Sequence, residues 1–368
     1  MLYNKTVAVV VPAYNEETQI GMVIETMPEF VDRIVIINDC SQDKTAEVVR
    51  SYFNGKYDPE CPCPADVPRP ERTTFSIYEE ADRLVQEKRK EEELFYPETT
   101  IEQRIPYKSR IVLINHKENS GKGAGIITGY KYCRDHHFDC VGSMDGDGQM
   151  DPAELEMLCT PVVRDNIDYV KGNRLIHPAA WIAIPRIRCI GNAILSILTK
   201  VAPGYWHVSD TQTGYAVISK RALEQIEIHK IYRSYGYPND VLCKLNVANC
   251  TLQEKEIKPV YHVGEKSKMK ISRVIRKLSL LLLKLFFCRI WKKYLIRSFH
   301  PLFLLYHLAF ILLLVGIPYG IKTGYAILTG SDIGILPVLA FSFLFTMGLH
   351  SMLFAMWMDM YDNEHLNK

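Results

Sequence analysis

The segment SMDGDGQMDP places Asp145 and Asp147 two residues apart, among glycines and directly after the apolar run Cys140–Met144. Two carboxylates at i and i+2 on such a turn can both approach one small site. Asp147 and Gln149 supply hard oxygen donors, suited to magnesium or manganese beside a diphosphate. The glycines let backbone and ligand come close. Turns and calcium loops look similar, but an EF-hand would place its bidentate glutamate at Glu156, and the intermediate ligands are missing.

Further polar residues close apolar runs elsewhere. Val7–Val11 ends in Pro12-Ala13-Tyr14-Asn15-Glu16, and Arg33–Asn38 ends at Asp39, which by itself reads equally as a helix-capping turn residue. Arg174, in KGNRL, reads alone as a surface ion pair. Gly121-Lys122-Gly123 is not a P-loop, because Ala124 follows Gly123 and no Ser or Thr follows Lys122. The histidines show no metal-ligand clustering. Cys61-Pro-Cys63 lacks the second pair that a zinc site needs, and the scattered cysteines read as reduced thiols.

The elements that position these residues follow from the apolar runs. Val7–Val11, Arg33–Asn38, Ile111–Asn115 and Cys140–Met144 are each followed by a helical stretch: from about Glu16, then Asp43–Ser51, Gly121–Cys133 and Pro152–Val163. Alternation of this kind predicts an α/β fold, a mostly parallel sheet covered on both faces. Ligands bind such sheets at the carboxyl ends of the strands. Residues 54–108 break the rhythm with a Pro-rich piece, CPCPADVPRPE, and the charged stretch EEADRLVQEKRKEEEL, which predict an exposed insertion, helical around Tyr78–Phe95.

Charge is distributed unevenly. Lys plus Arg number 44 against 42 Asp plus Glu, a net charge of +2, which excludes a protein held to nucleic acid by bulk charge. Nearly all the acidic residues precede Lys266. From Lys266 to Arg297 there are eleven basic residues and no acidic one. Pro301–Ile321 and Ile333–Met358 then lack charge altogether, and each exceeds the about 20 apolar residues that a membrane span needs. They predict an antiparallel transmembrane hairpin. KLSLLLLKLFFCRIWKKYL, with Lys284 and Arg289 near its middle, predicts an amphipathic helix in the interface beside anionic lipid. The expected organisation is residues 1–265 as a catalytic domain, 266–300 as the basic interfacial segment and 301–368 as hairpin and short tail. The basic flank puts the N-terminal domain on the cytoplasmic side, as does the absence of a readable secretory signal.

VAVVVPAYNEE, IVIINDCSQDKT, NSGKGAGIITGY and MDGDGQMDP, in this order and spacing, resemble the family 2 glycosyltransferases, and within them the polyprenyl- and dolichyl-phosphate sugar synthases. The resemblance runs from Val7 to about Ile271 and implies the GT-A nucleotide-sugar fold. It implies that Pro12, Tyr14, Glu16 and Ile37 line the nucleoside pocket, that Asp39 binds the base, and that Lys122 lies near the nucleotide. Asp145 and Gly146 would touch the nucleotide, with Asp147 and Gln149 on Mg²⁺ or Mn²⁺. Arg174 resembles the Arg of a G-x-R element facing the phosphates. SDTQTGYAVIS resembles the segment shaping the sugar and acceptor side, which makes Asp210 and Gln212 candidates there; Ala216 stands where the family often has Arg. VYHVGEKSKMKI resembles a late basic element, with Lys268 the matching lysine.

Asp147, Asp210 and Arg174 are thus the expected catalytic residues. The expected reaction is metal-dependent transfer from a nucleotide-diphosphate sugar to a polyprenyl phosphate at a lipid bilayer, with homo-oligomers possible. Inversion by direct displacement is implied by the resemblance. A processive polysaccharide synthase would carry QxxRW, which is absent. Transfer to a lipid-linked oligosaccharide or a lipid hydroxyl, and a non-catalytic tethered subunit, stay open at this stage.

Overall fold

A computed structural model describes residues 1–60, 79–178, 198–260, 271–331 and 334–368, with backbone alone at 271–275. Strand β1 (Val7–Ala13) is buried along its whole length, as is β2 (Arg33–Asn38). Continuous apolar runs of this kind form only where both sheet faces are covered. They pair in parallel with β4 (Ile111–His116) and β5 (Cys140–Ser143), in the order β4-β2-β1-β5. Beyond β5, β7 (Ala216–Ser219) and β6 (Tyr169–Asn173) pair antiparallel, and β8 (Leu252–Glu256) closes that edge parallel to β6.

Side chains of one strand alternate between two cores. Ala8, Val10, Val35 and Ile114 face Ile126, Ile127 and Tyr130 of α4 (Lys122–Asp135). Val7, Val9, Ile34 and Leu113 face α1 (Ile20–Glu25), α2 (Thr45–Ser51) and Leu155 and Leu158 of α5 (Leu155–Arg164). Helix α4 lies unusually close to β1. A Cβ on Gly129 would sit 2.1 Å from Val10 Cγ1, so only glycine lets α4 press its N-terminus down over the strand ends.

The insertion is helical where expected, as α3 (Glu80–Glu93), with no buried residue. Its end corrects the reading of a wholly exposed excursion: β3 (Thr99–Glu102) joins the sheet antiparallel to β4. Glu102 takes a two-point ion pair from Arg50 at 2.7 and 2.9 Å and a hydrogen bond from Asn115 Nδ2. TTIE carries no apolar alternation because both its faces are largely open, so the pattern had nothing to show. The Pro-rich piece lies outside the described residues.

After β7 come α6 (Lys220–Gln225) and α7 (Tyr237–Val247). The C-terminal region begins with α8 (Ile271–Trp291), continues through a π turn at Lys292–Arg297, and ends in α9 (Pro301–Thr329) and α10 (Ile335–Asn363). Both long helices are long and apolar enough to cross a membrane. At 29 residues each, they extend about 43 Å, beyond a hydrocarbon core of about 30 Å. The last residues return to the sheet, where Lys368 N donates to Leu252 O and Leu366 enters the first core.

Arg289 corrects the picture of α8 as a purely interfacial helix. Leu282, Phe286 and Ile290 pack against Leu302 and Tyr306 of α9 and Ala355 of α10. Among them Arg289 is fully buried, and its guanidinium meets Asp359 of α10 through two hydrogen bonds of 2.7 Å. The Val201 and Ala202 carbonyls, each at 3.0 Å, accept its other donors. A cation that looked destined for the headgroups is instead a buried strut. Removing one partner of such a pair leaves an unpaired buried charge, whereas replacing both with apolar residues is close to neutral. Arg289→Met should therefore cost about 3–5 kcal/mol of stability, and Arg289→Met/Asp359→Leu should recover most of it. Thermal unfolding of the detergent-solubilised chain measures this, and a double variant as unstable as the single one would refute the strut.

Candidate active site

The carboxyl ends of β1, β2, β4 and β5 meet the N-terminus of α4. Asp39, the first residue after β2, is 4 % exposed. Its Oδ1 lies 2.8 Å from His116 Nδ1 and accepts from Ser120 N, and its Oδ2 accepts from Gly121 N, both at 2.8 Å. An ionised carboxylate only accepts, so His116 carries a proton on Nδ1. Its Nε2 lies 2.9 Å from Thr128 Oγ1 of α4. Burial pushes the Asp39 carboxyl up, but the hydrogen bonds from His116, Ser120 and Gly121 outweigh it and hold the group below its ordinary value. Asp39 is thus an ionised brace between two strand ends and a helix start.

Lys122 opens α4 and reaches Asp145 at 2.6 Å. Burial lowers its ammonium, and the carboxylates of Asp145 and Asp147 more than reverse that, so it stays charged. The Asp145–Gln149 turn is built by short contacts. Asp145 N points to Met150 Sδ at 3.2 Å, Gly146 N donates to Pro12 O, and Gln149 N donates to Asp147 Oδ1 at 3.0 Å. Gly148 has φ 73°. At Gly146 a Cβ would come within 3.2 Å of Pro12 O, so glycine is what lets the turn lie on β1.

Arg174 and Asp210 form the second cluster. Arg174 Nε and Nη2 donate to the two Asp210 oxygens at 2.8 and 3.2 Å, and the Gln212 and Thr213 amides also donate to Oδ1. Burial raises the Asp210 carboxyl, and Arg174 more than offsets this and holds it low. Glu254 of β8 accepts from the Ser209 and Asp210 amides and from Asn173 Nδ2. Beneath both clusters lies Lys171 of β6, fully buried, its Nζ donating to Thr213 O. Burial pulls its ammonium down to about 8, against the opposing pull of Asp210 and Glu254.

The structure brings Asp39, Lys122, Asp145, Gly146, Asp147 and Gln149 together at the strand ends, with exposed Tyr14 and half-buried Glu16 on the loop after β1. Two expectations are corrected. Ile37 is fully buried between the sheet and α4, against Pro12 and Gly125, so it supports the pocket floor and offers a ligand no surface. Asp210, expected as a catalytic residue, is occupied by Arg174 and three backbone amides, which makes it a positioning residue. Lys268 lies outside the described residues. His116, Lys171 and Glu254 were missed; His116 closes an apolar run just as Asp39 does, and that signal could have found it.

Among the described residues no group of three or more His, Cys, Asp or Glu could by itself hold a metal. Magnesium beside a diphosphate asks for less: one or two protein oxygens, with phosphate oxygens and waters completing the shell. Asp147 and Gln149 fit that demand.

The site thus consists of acidic strand ends above a mostly parallel sheet, with a basic helix start facing them. The chain belongs to glycosyl transferase family 2, whose sequence profile matches residues 8–63 and 98–227, just over half its length. It is 24% identical over 259 residues to a UDP-N-acetylglucosamine–dolichyl-phosphate N-acetylglucosaminyltransferase of Methanococcus voltae, covering 70% of this chain and 87% of that one. It is also 24% identical over 294 residues to a dolichyl-phosphate beta-glucosyltransferase of Trichomonas vaginalis, with 73% and 70% covered. Glucosyl-3-phosphoglycerate synthase from Mycobacterium tuberculosis, solved with Mn²⁺, UDP and glucosyl-3-phosphoglycerate, superposes with a TM-score of 0.46 at 14% identity, over 78% of this chain and 80% of that one.

The Lys171 charge offsets Asp210, Glu254 and Asp145 where anionic ligands must approach. Below about 8 the ammonium is protonated and does so; above it the site becomes more negative. The expected result is a kcat/KM that declines as pH rises through about 8. Lys171→Arg should shift that decline to higher pH, and Lys171→Met should be slow throughout and lack it. An unchanged alkaline limb in both variants would remove Lys171 from the account.

Proposed function

We propose that the enzyme transfers a sugar from a nucleotide-diphosphate sugar to a polyprenyl (dolichyl-type) phosphate at the cytoplasmic face of a membrane. The observation that carries this reading is the junction of a strand-end site with a helix pair on one chain: Asp39, Lys122, Asp145 and Asp147 lie over the sheet, and Arg289 locks the apolar hairpin to the same body. The dolichyl-phosphate acceptors named for the two relatives support the acceptor class.

Asp39, braced by His116, would contact the base with what its carboxylate leaves open. Asp147 and Gln149 would hold Mg²⁺ or Mn²⁺, which supplies charge stabilisation for the departing diphosphate. Lys122, kept charged by Asp145, adds a fixed cation beside it. Arg174, its guanidinium oriented by Asp210 and 41 % exposed, would bind a phosphate. An acceptor phosphate monoester has a second pKa near ~6 and is already an anionic nucleophile at neutral pH. No strong base is required, which agrees with an Asp210 already occupied. A lipid hydroxyl acceptor would require that base.

Vesicles containing the full chain, supplied with polyprenyl phosphate and a panel of radiolabelled nucleotide sugars, should make a sugar-phosphate lipid with one donor, only when Mg²⁺ or Mn²⁺ is present. Product persisting in EDTA excludes the metal role. Asp147→Ala should lower kcat by about 10²-fold or more with membrane insertion intact; full activity in that variant would overturn the reading. Protease added outside vesicles of known orientation tests the assigned face, because the domain should be cut only where the cytoplasmic side is exposed.

A further inference from the structure

A second concave surface lies away from the strand ends. Helix α8 presents Leu281, Lys284, Leu285 and Cys288 toward α7 and α6, and with them and Lys292 of the π turn lines a groove of about 600 Å³. The four α8 positions fall at i, i+3, i+4 and i+7 and share one face of the helix. None of Asp39, Lys122, Asp145, Asp147 or Arg174 lines it. Its floor is apolar, formed by Leu281, Leu285 and Val247. Its rim carries five cations, Lys230, Lys244, Lys284, Lys292 and Arg297, against two carboxylates. Glu227 is taken by Lys230 and Lys292, and Asp240 by Lys244. Lys284 and Arg297 have no acidic partner among the described residues.

The groove also sits where both long helices end. Arg297, four residues before α9 begins, donates to Val247 O. Asn363, the last residue of α10, meets Asn246 Nδ2 at 2.8 Å. Apolar Leu280 and Leu283 of α8, and Ile296 and Phe299 between α8 and α9, stand exposed on the same stretch of chain. An anionic head with an apolar tail, presented at the height of the membrane surface, matches this combination, whereas a soluble phosphate has no use for the apolar floor. We propose that the groove binds an anionic phospholipid of the surrounding bilayer, at a site separate from the acceptor's. This rests on the reading of α9 and α10 as membrane spans. Tyr232 forms one wall, and the Tyr232 and Arg233 backbone packs on Gly121 and Gly123 at the start of α4. A lipid seated here therefore buttresses the loop that backs the nucleotide pocket.

Cys288 is exposed and lines the groove, so its alkylation by neutral iodoacetamide, located by peptide mass spectrometry, reports occupancy without any turnover. The full chain is placed in bilayers of phosphatidylcholine alone, with phosphatidylglycerol, or with polyprenyl phosphate. Phosphatidylglycerol should slow the alkylation. Lys284→Gln/Arg297→Gln should raise the phosphatidylglycerol content needed for half protection by roughly 25-fold, from about fivefold per cation, and Lys284→Arg should retain protection. Three results would each overturn the proposal: equal rates with and without phosphatidylglycerol, protection unaltered in the double Gln variant (surface potential only), or protection by polyprenyl phosphate alone, which would make this the acceptor's groove. Absence of transferase activity would not alter the readout, so the two readings fail separately.

Discussion

A guanidinium without water must satisfy its donors inside the protein or destabilise the fold. Arg289 does so by spending two donors on Asp359 and two on the Val201 and Ala202 carbonyls. Three separate parts of the chain are thereby bound to one planar group, and each constrains the others. Gly204, at φ 78°, passes so close that a Cβ would lie 2.6 Å from Nη1. Around this centre Tyr294 donates to Asp359 and Lys293 to Asn363. The apolar hairpin is therefore not a loose tether: the end that carries Asp359 is keyed to the body that carries the site.

The site is organised by alternation of charge over a buried sheet. Lys122 links the Asp145 turn to the helix start, Lys171 lies under Asp145 and Asp210 together, and Arg174 crowns Asp210. Asp39, Asp145 and Asp210 each have a cation or a set of amide donors, so these three are paired before any ligand arrives. Preorganisation of this kind is what electrostatic stabilisation of a leaving diphosphate requires, since donors already in place need no rearrangement as charge develops.

Much of this was legible in the residues. The four parallel strands are uninterrupted apolar runs, and a run buried on both faces has few alternatives to a covered parallel sheet. The acidic strand ends were visible because polar residues stop each run abruptly. What escaped had no such contrast. The edge strand β3 is open on both faces and shows no alternation. Lys171 reads as a solvent residue in VKGNR until β7 and β8 close over it. Asp210 reads as a free carboxylate because its partner, Arg174, is 36 residues away in sequence.

By itself, then, the sequence determined the four parallel strands at the centre of the sheet, the order of their strand-end motifs, the basic flank and two long uncharged runs, all of which rest on local periodicity and composition. Tertiary structure alone decided which charges are occupied. Pairing across long sequence separations depends on which elements the fold brings within 3 Å of each other, and no local pattern encodes that. It turned Arg289 from a lipid-facing cation into a buried strut, Asp210 from a candidate on the acceptor side into an anchor for Arg174, and Ile37 from a ligand contact into core.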